Sequence, residues 1–156
     1  MTFKARDLEL EMREPGDLAF VRLFRRAGGE WDEPPPAYRN MRCDPPAGKK
    51  DDFSLLYTGD RIEAIAMECD ILAVDRQGNW SYDDAKTKSY WVARYQFTKP
   101  AIFVPMDINR PRLDIDRQPF VPGYLPWQEA AHELWRRFGT AVHGLSWWSM
   151  HRCVFH

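Results

Sequence analysis

Glu68 is the residue whose type and position ordinary packing explains least. It lies in RIEAIAMECDIL, residues 61–72. Each residue advances roughly 100° around a helix. On that wheel Ile62, Ile65, Ala66, Cys69, Leu72 and Ala73 make the buried side, Glu63, Met67 and Asp70 the solvent side, and Glu68 falls with Ile65 and Leu72. An unpaired buried carboxylate is costly, so it needs a cationic partner, a hydrogen-bond network or a wet cleft. Two readings stay open: a carboxylate at the rim of the core that reaches solvent or a neighbouring cation, or one held in a cleft for chemistry.

Other candidate chemistry is weaker. HELW at 132–135 starts like a zinc-protease helix, but Arg136 stands where the second His ligand belongs. The four His, at 132, 143, 151 and 156, have no ligand spacing, and no metal site is expected. His143 and His151 flank GLSWWS and are either pocket-lining or ordinary polar residues. GLSWWS lacks the Gly-x-Ser-x-Gly elbow of a hydrolase. AGGEWDE lacks the Lys and the following helix of a phosphate loop. RLFRR (22–26) reads as a solvated strand end and PPAGKKDD as a polar loop. Cys43, Cys69 and Cys153 are odd in number and without metal-like spacing, so they are expected as small core residues of a protein in a reducing cytosol.

The elements that must position these residues follow from periodicity and punctuation. LAFVRLF (18–24) and FSLLY (53–57) read as core strands. The Glu68 helix is expected to be capped by Asp60, with Glu63 three residues later as in a capping box. SYWVARYQF (89–97) alternates, with Trp91, Ala93, Tyr95 and Phe97 on one face. AIFVPM (101–106) is a short buried strand and RLDI (112–115) another. LPWQEAAHELWRRFG (125–139) is the best helix, with Pro126 in its first turn, Gly139 at its stop and Trp127, Ala130, Ala131, Leu134, Trp135 and Phe138 on its apolar face. VHGLSWWS and HRCVF close the chain as strands. Strands dominate with two real helices, an α+β pattern with one core and one domain.

At 156 residues the chain is long enough for such a core. Its net charge of −1 gives no global attraction to nucleic acid or anionic membrane. No stretch approaches the ~20 apolar residues of a membrane span. The start, MTFKARDLELEMREPGD, is charged and has no apolar signal region. A cytoplasmic location is expected, and action in another cell would need delivery by another route. Aromatic residues make up 14%, including seven Trp, and such residues line pockets and interfaces as well as cores.

Three separated pieces together resemble the RES domain family, named for an Arg, a Glu and a Ser. NMRCDPP is similar to the family's Arg loop, with Cys43 where an aromatic is common; Arg22, Arg25 and Arg39 lie nearby. LLYTGDRIEAIAMEC is similar to the "LYxA…ALxE" segment, matching at Tyr57 and Glu68. VHGLSWWSMHR is similar to "DGxxYxSxR": Gly144, Ser149 and Arg152 match, Trp147 replaces the Tyr and His143 the Asp. The likeness runs from about residue 18 to the end. It implies a polar extension over 1–17 and one NAD-binding toxin domain over 18–156.

The resemblance also implies an ADP-ribosyltransferase-like fold: a split, mostly antiparallel β core around a cleft that holds NAD⁺. The implied activity is cleavage of the nicotinamide–ribose bond by a glycohydrolase or phosphorylase that depletes NAD⁺, or ADP-ribosylation of a target protein. NAD⁺ is then a substrate, inorganic phosphate an optional co-substrate, and no cofactor or metal is needed. The implied partner is a neutralising antitoxin or immunity protein. Glu68 would stabilise an oxocarbenium-like ribose, and Arg42 would clamp the pyrophosphate. Tyr57 would stack on nicotinamide or bond its ribose, and Ser149 would orient Glu68 or the ribose. Trp147, Trp148 and His151 would be pocket walls, with Arg22 a further substrate-binding candidate. A non-catalytic interaction domain with an aromatic-rich surface is the competing reading.

Overall fold

The computed structural model describes residues 7–16, 19–25, 27–117 and 123–148. Along the chain its elements are β1 (Glu11–Arg13), β2 (Phe20–Arg25), α1 (Ile62–Glu68), β3 (Leu72–Val74), β4 (Trp80–Tyr82), α2 (Asp84–Lys88), β5 (Tyr90–Tyr95), β6 (Ala101–Pro105), α3 (Met106–Asn109), α4 (Leu125–Phe138) and β7 (Gly144–Ser146). Short 3-10 turns lie at Pro36–Tyr38, Ile115–Arg117 and Gly139–Ala141. Among the described residues the protein is a small mixed α+β structure with three short sheets and few helices. Contacts divide the described residues into two compact units. One draws on 7–15, 33–55, 99–117 and 123–147, the other on 16, 19–25, 27–32, 56–98 and Trp148.

The first unit is built on β6. AIFVP is a continuous apolar run, as a strand covered on both faces requires. Ala101 and Val104 are buried. β1 pairs with it antiparallel, Met12 opposite Ile102, so the stretch expected as a polar extension supplies an edge strand. β7 pairs with it parallel, Val104 opposite Leu145. Parallel neighbours need a crossover connection, and α3 and α4 lie in it. Gly144 faces Phe103 across this pair; a Cβ there would sit 2.4 Å from the Phe103 ring, so any larger residue would have to displace that ring. α4 matches its expected span, with Pro126 in its first turn and Gly139 as C-cap. Its small Ala130 and Ala131 let it pack closely, and with Leu134 they join Leu8, Cys43, Val104, Met106, Leu113 and Ile115 in one buried cluster. Full burial of a Leu or Met is worth roughly 1.5–3 kcal/mol. The Asn109 side chain, also wholly buried, accepts from the Glu9 amide through Oδ1 and donates from Nδ2 to the Glu9 and Pro105 carbonyls, each at 2.9 Å.

The strand expected over 112–115 is instead a turn. Asp114 has φ 63°, and the Arg112 and Leu113 amides donate back to the Asn109 carbonyl. Leu113 is buried by this turn rather than by a sheet. FSLLY (53–57) is not a strand either. It has no ladder partner among the described residues, and the Phe53 carbonyl accepts from Arg39 instead.

The second unit holds a six-residue antiparallel ladder, β2 on β5, with Phe24 opposite Trp91 and Phe20 opposite Tyr95. α1 packs against β2, and Val21, Met67 and Ile71 are buried. β3 and β4 form a hairpin whose turn is held by Asp75 Oδ1, which accepts from the Gln77 and Asn79 amides at 2.8 Å. Asp83 caps α2 by accepting from the Lys86 amide. The expected closing strand HRCVF lies outside the described residues, as does Cys153.

Candidate functional site

Of the arginines around the expected loop, Arg39 holds the loop together. It is 7% exposed. Its Nε donates to the Pro34 carbonyl at 2.9 Å, and its Nη1 to the carbonyls of Lys50 at 2.6 Å and Phe53 at 3.0 Å. The Lys50 ammonium returns a bond to the Arg39 carbonyl. Its Nη2 pairs with the Glu33 carboxylate at 3.4 Å, so this guanidinium is engaged by the loop itself.

Arg42 is placed differently. A turn puts it between exposed Met41 and wholly buried Cys43. Asp44 Oδ2 accepts from the Met41 amide at 2.7 Å, and Gln128 on α4 donates to the Met41 carbonyl at 2.9 Å. The Arg42 guanidinium lies 5.0 Å from the Trp127 ring centroid and 5.6 Å from that of Tyr124. Among the described residues it has no carboxylate partner and no hydrogen bond. Arg110 lies over the same Trp127 ring at 5.8 Å. Burial pushes the Cys43 thiol up to about 12 although Arg42 pulls the other way, so Cys43 is an inert core group.

In the second unit the wheel drawn for Glu68 is corrected. α1 ends at Glu68, Cys69 caps it, and Asp70 at φ 53° turns the chain into β3. Leu72 and Ala73, counted on the buried side of the wheel, are therefore strand residues. Without them the apolar stripe shifts: Met67 is the buried residue, Ile62 is exposed, and Glu68 is exposed. The long, flexible Met67 side chain fills the core position expected of its neighbours. Asp60 does not cap the helix either. Arg61 is the N-cap, with no side-chain cap bond, and it pairs with Glu63 at 3.7 Å. Glu68 is thus a carboxylate at the surface of its unit, and its charge helps burial raise the Cys69 thiol. Tyr57 is half-buried, two residues before Gly59, which bridges to Val21.

Arg22 is a loop anchor. It donates to the carbonyls of Glu30 at 2.5 Å and Asp32 at 2.6 Å, and the Tyr95 hydroxyl shares the Glu30 carbonyl. Trp31 packs edge-on against Tyr95 at 4.7 Å. Trp147 is half-buried against the core of the first unit. Ser149 and His151 lie outside the described residues. His143 serves the sheet, its Nδ1 accepting from the Ile102 amide at 3.1 Å.

Two groupings were not visible as sites in the sequence. Trp127 stood out there only as part of an apolar helix face, and Arg110 and Tyr124 carried no motif. His132, set aside with the broken zinc pattern, is buried, with Nε2 2.7 Å from Asp52 Oδ2 and its ring near those of Phe53 and Trp135. Among the described residues no group of three or more His, Cys, Asp and Glu could hold a metal ion. No helix among them is long and apolar enough to cross a membrane. No family model, no curated protein and no solved structure matches the chain.

Proposed function

We propose that the protein consumes NAD⁺, cleaving the nicotinamide–ribose bond as a toxin or effector of the RES type. The ordered set Arg42, Tyr57, Glu68 and Ser149 motivates the reading. The observation that carries it is the Arg42 guanidinium, half-buried on two aromatic rings with no counter-ion among the described residues. A cation without its anion is what a pyrophosphate clamp looks like before substrate arrives, because bidentate donors must be unspent. Arg22 has spent donors on carbonyl groups, and Arg39 on carbonyl groups and the Glu33 carboxylate.

In this mechanism Arg42 holds the pyrophosphate and Tyr57 packs on nicotinamide or bonds its ribose. The resemblance assigns Trp147 and His151 to the walls of the substrate pocket. Glu68 carries the negative charge that stabilises the oxocarbenium-like ribose as nicotinamide leaves. Ser149 orients Glu68 or the ribose. Water, phosphate or a protein nucleophile then takes the ribose carbon, giving hydrolysis, phosphorolysis or ADP-ribosylation. A cytosolic toxin of this kind requires a neutralising antitoxin or immunity partner in the cell that makes it.

The test is NAD⁺ consumption by purified protein, with product analysis in the presence and absence of phosphate. Nicotinamide with free ADP-ribose identifies hydrolysis, and a phosphorylated ADP-ribose identifies phosphorolysis. Nicotinamide release only when a protein acceptor is added identifies transfer. A second reading, a partner-binding module, is favoured by large aromatic side chains left at the surface, among them Trp31 at 68% and Tyr82 at 70% exposure. Unchanged cellular NAD⁺ together with normal growth after induction would select it.

A further inference from the structure

We propose that Arg110 is the second arm of the Arg42 site, and that the two guanidiniums take a diphosphate group beside the Trp127 indole. This rests on Arg42 being an anion clamp and adds the residues that complete it.

Two guanidiniums lie over one indole ring, at 5.0 Å and 5.8 Å. The ring face attracts each guanidinium, but like charges gathered on one ring repel and half-burial strips hydration from Arg42, so an anion bound beside them relieves the arrangement. Arg110 is answered in part. Asp116 Oδ1 accepts from its Nε at 2.8 Å and lies 2.6 Å from its Nη2. One edge of that planar fork is thereby occupied, and the Nη1–Nη2 edge remains able to bind a second acceptor. Arg42 has no such partner among the described residues.

Both arms stand on rigid backbone, so little ordering is lost on binding. The Arg42 turn is fixed by Asp44 and Gln128. Arg110 follows Asn109, whose buried amide ties α3 to the residues before β1. A diphosphate fits this pair better than a carboxylate does. It offers two tetrahedral groups that can meet two forks at once, and enough charge to offset one cation that is free and another half neutralised. Trp127 and Tyr124 supply the apolar wall for whatever ring the diphosphate carries.

The experiment is calorimetric titration of the intact protein at low salt with pyrophosphate, ADP-ribose and adenosine, alongside the NAD⁺ assay. Folding of each variant is checked by near-ultraviolet circular dichroism. Pyrophosphate and ADP-ribose are expected to bind and adenosine not. Arg110→Ala is expected to weaken pyrophosphate about tenfold or more, the scale of one charge-assisted bond. Arg110→Lys should not restore it, Asp116→Asn should tighten it, and Arg76→Ala should change nothing. If Arg42→Ala loses binding while Arg110→Ala and Asp116→Asn bind as the wild type does, Arg110 has no part and the Arg42 reading survives. If wild type consumes NAD⁺ but binds no pyrophosphate at millimolar concentration, the diphosphate site is overturned. If the variants behave as expected but NAD⁺ is untouched, the anion site stands and the enzymatic reading fails.

Discussion

Arg39 and Arg42 are three positions apart and their side chains do opposite work. One ends in backbone carbonyls and the Glu33 carboxylate and shapes a loop, the other ends on aromatic rings. Residue type cannot separate them, because carbonyl acceptors leave no trace in sequence; the Arg-containing motif located the loop, and only the geometry sorted its members. Glu68 shows the converse. Its motif position remains, but the burial inferred from the wheel does not hold. Replacing Glu68 with Gln is therefore expected to leave the melting temperature nearly unchanged, within about 0.5 kcal/mol of stability as for other surface substitutions. Turnover of NAD⁺ should fall about 10²-fold if this carboxylate stabilises the ribose cation. A thermal melt and a rate on the same preparation decide it: full specific activity in the mutant would remove Glu68 from the mechanism.

Elements with strong punctuation were legible and those without were not. α4 has a proline, a glycine and an unbroken apolar face, and its ends fall where the sequence puts them. β6 was legible as a continuous apolar run. β1, β3 and β4 are three residues each, too short to carry a period. The wheel drawn for α1 runs five residues past its real end, which misplaces its apolar stripe. On α4 itself, Glu133 accepts from Arg136 at 2.9 Å and from Arg137 at 2.5 Å. These bonds, the one from Arg136 foremost, hold the Glu133 carboxyl down to about 2. A carboxyl lowered in the folded state stabilises fully above its unfolded value, near 4.5, and loses that contribution as pH falls toward 2. The melting temperature of Glu133→Gln should accordingly lie below wild type at neutral pH and converge with it near pH 2. The gap should narrow with added salt, because the pair is partly screened. A constant gap across that range would mean the ion pair is not its source.

At the scale of the whole molecule the α+β class was legible in the balance of strands and helices. The grouping of contacts was not, since each unit is assembled from stretches far apart in the chain. β1 ends at Arg13 and its partner β6 begins at Ala101. A fragment ending at residue 98 should therefore show no protected amides over residues 11–13 by hydrogen exchange, whereas the full chain should; protection in the fragment would mean that β1 finds another partner. The same pairing sets a clock during synthesis. At ~5–20 residues per second the ribosome takes roughly 5–20 s to deliver β6 after β1 has emerged. Through that interval the nascent chain carries Leu8 and an unmatched strand edge in the open, a substrate for chaperones before it is a folded protein.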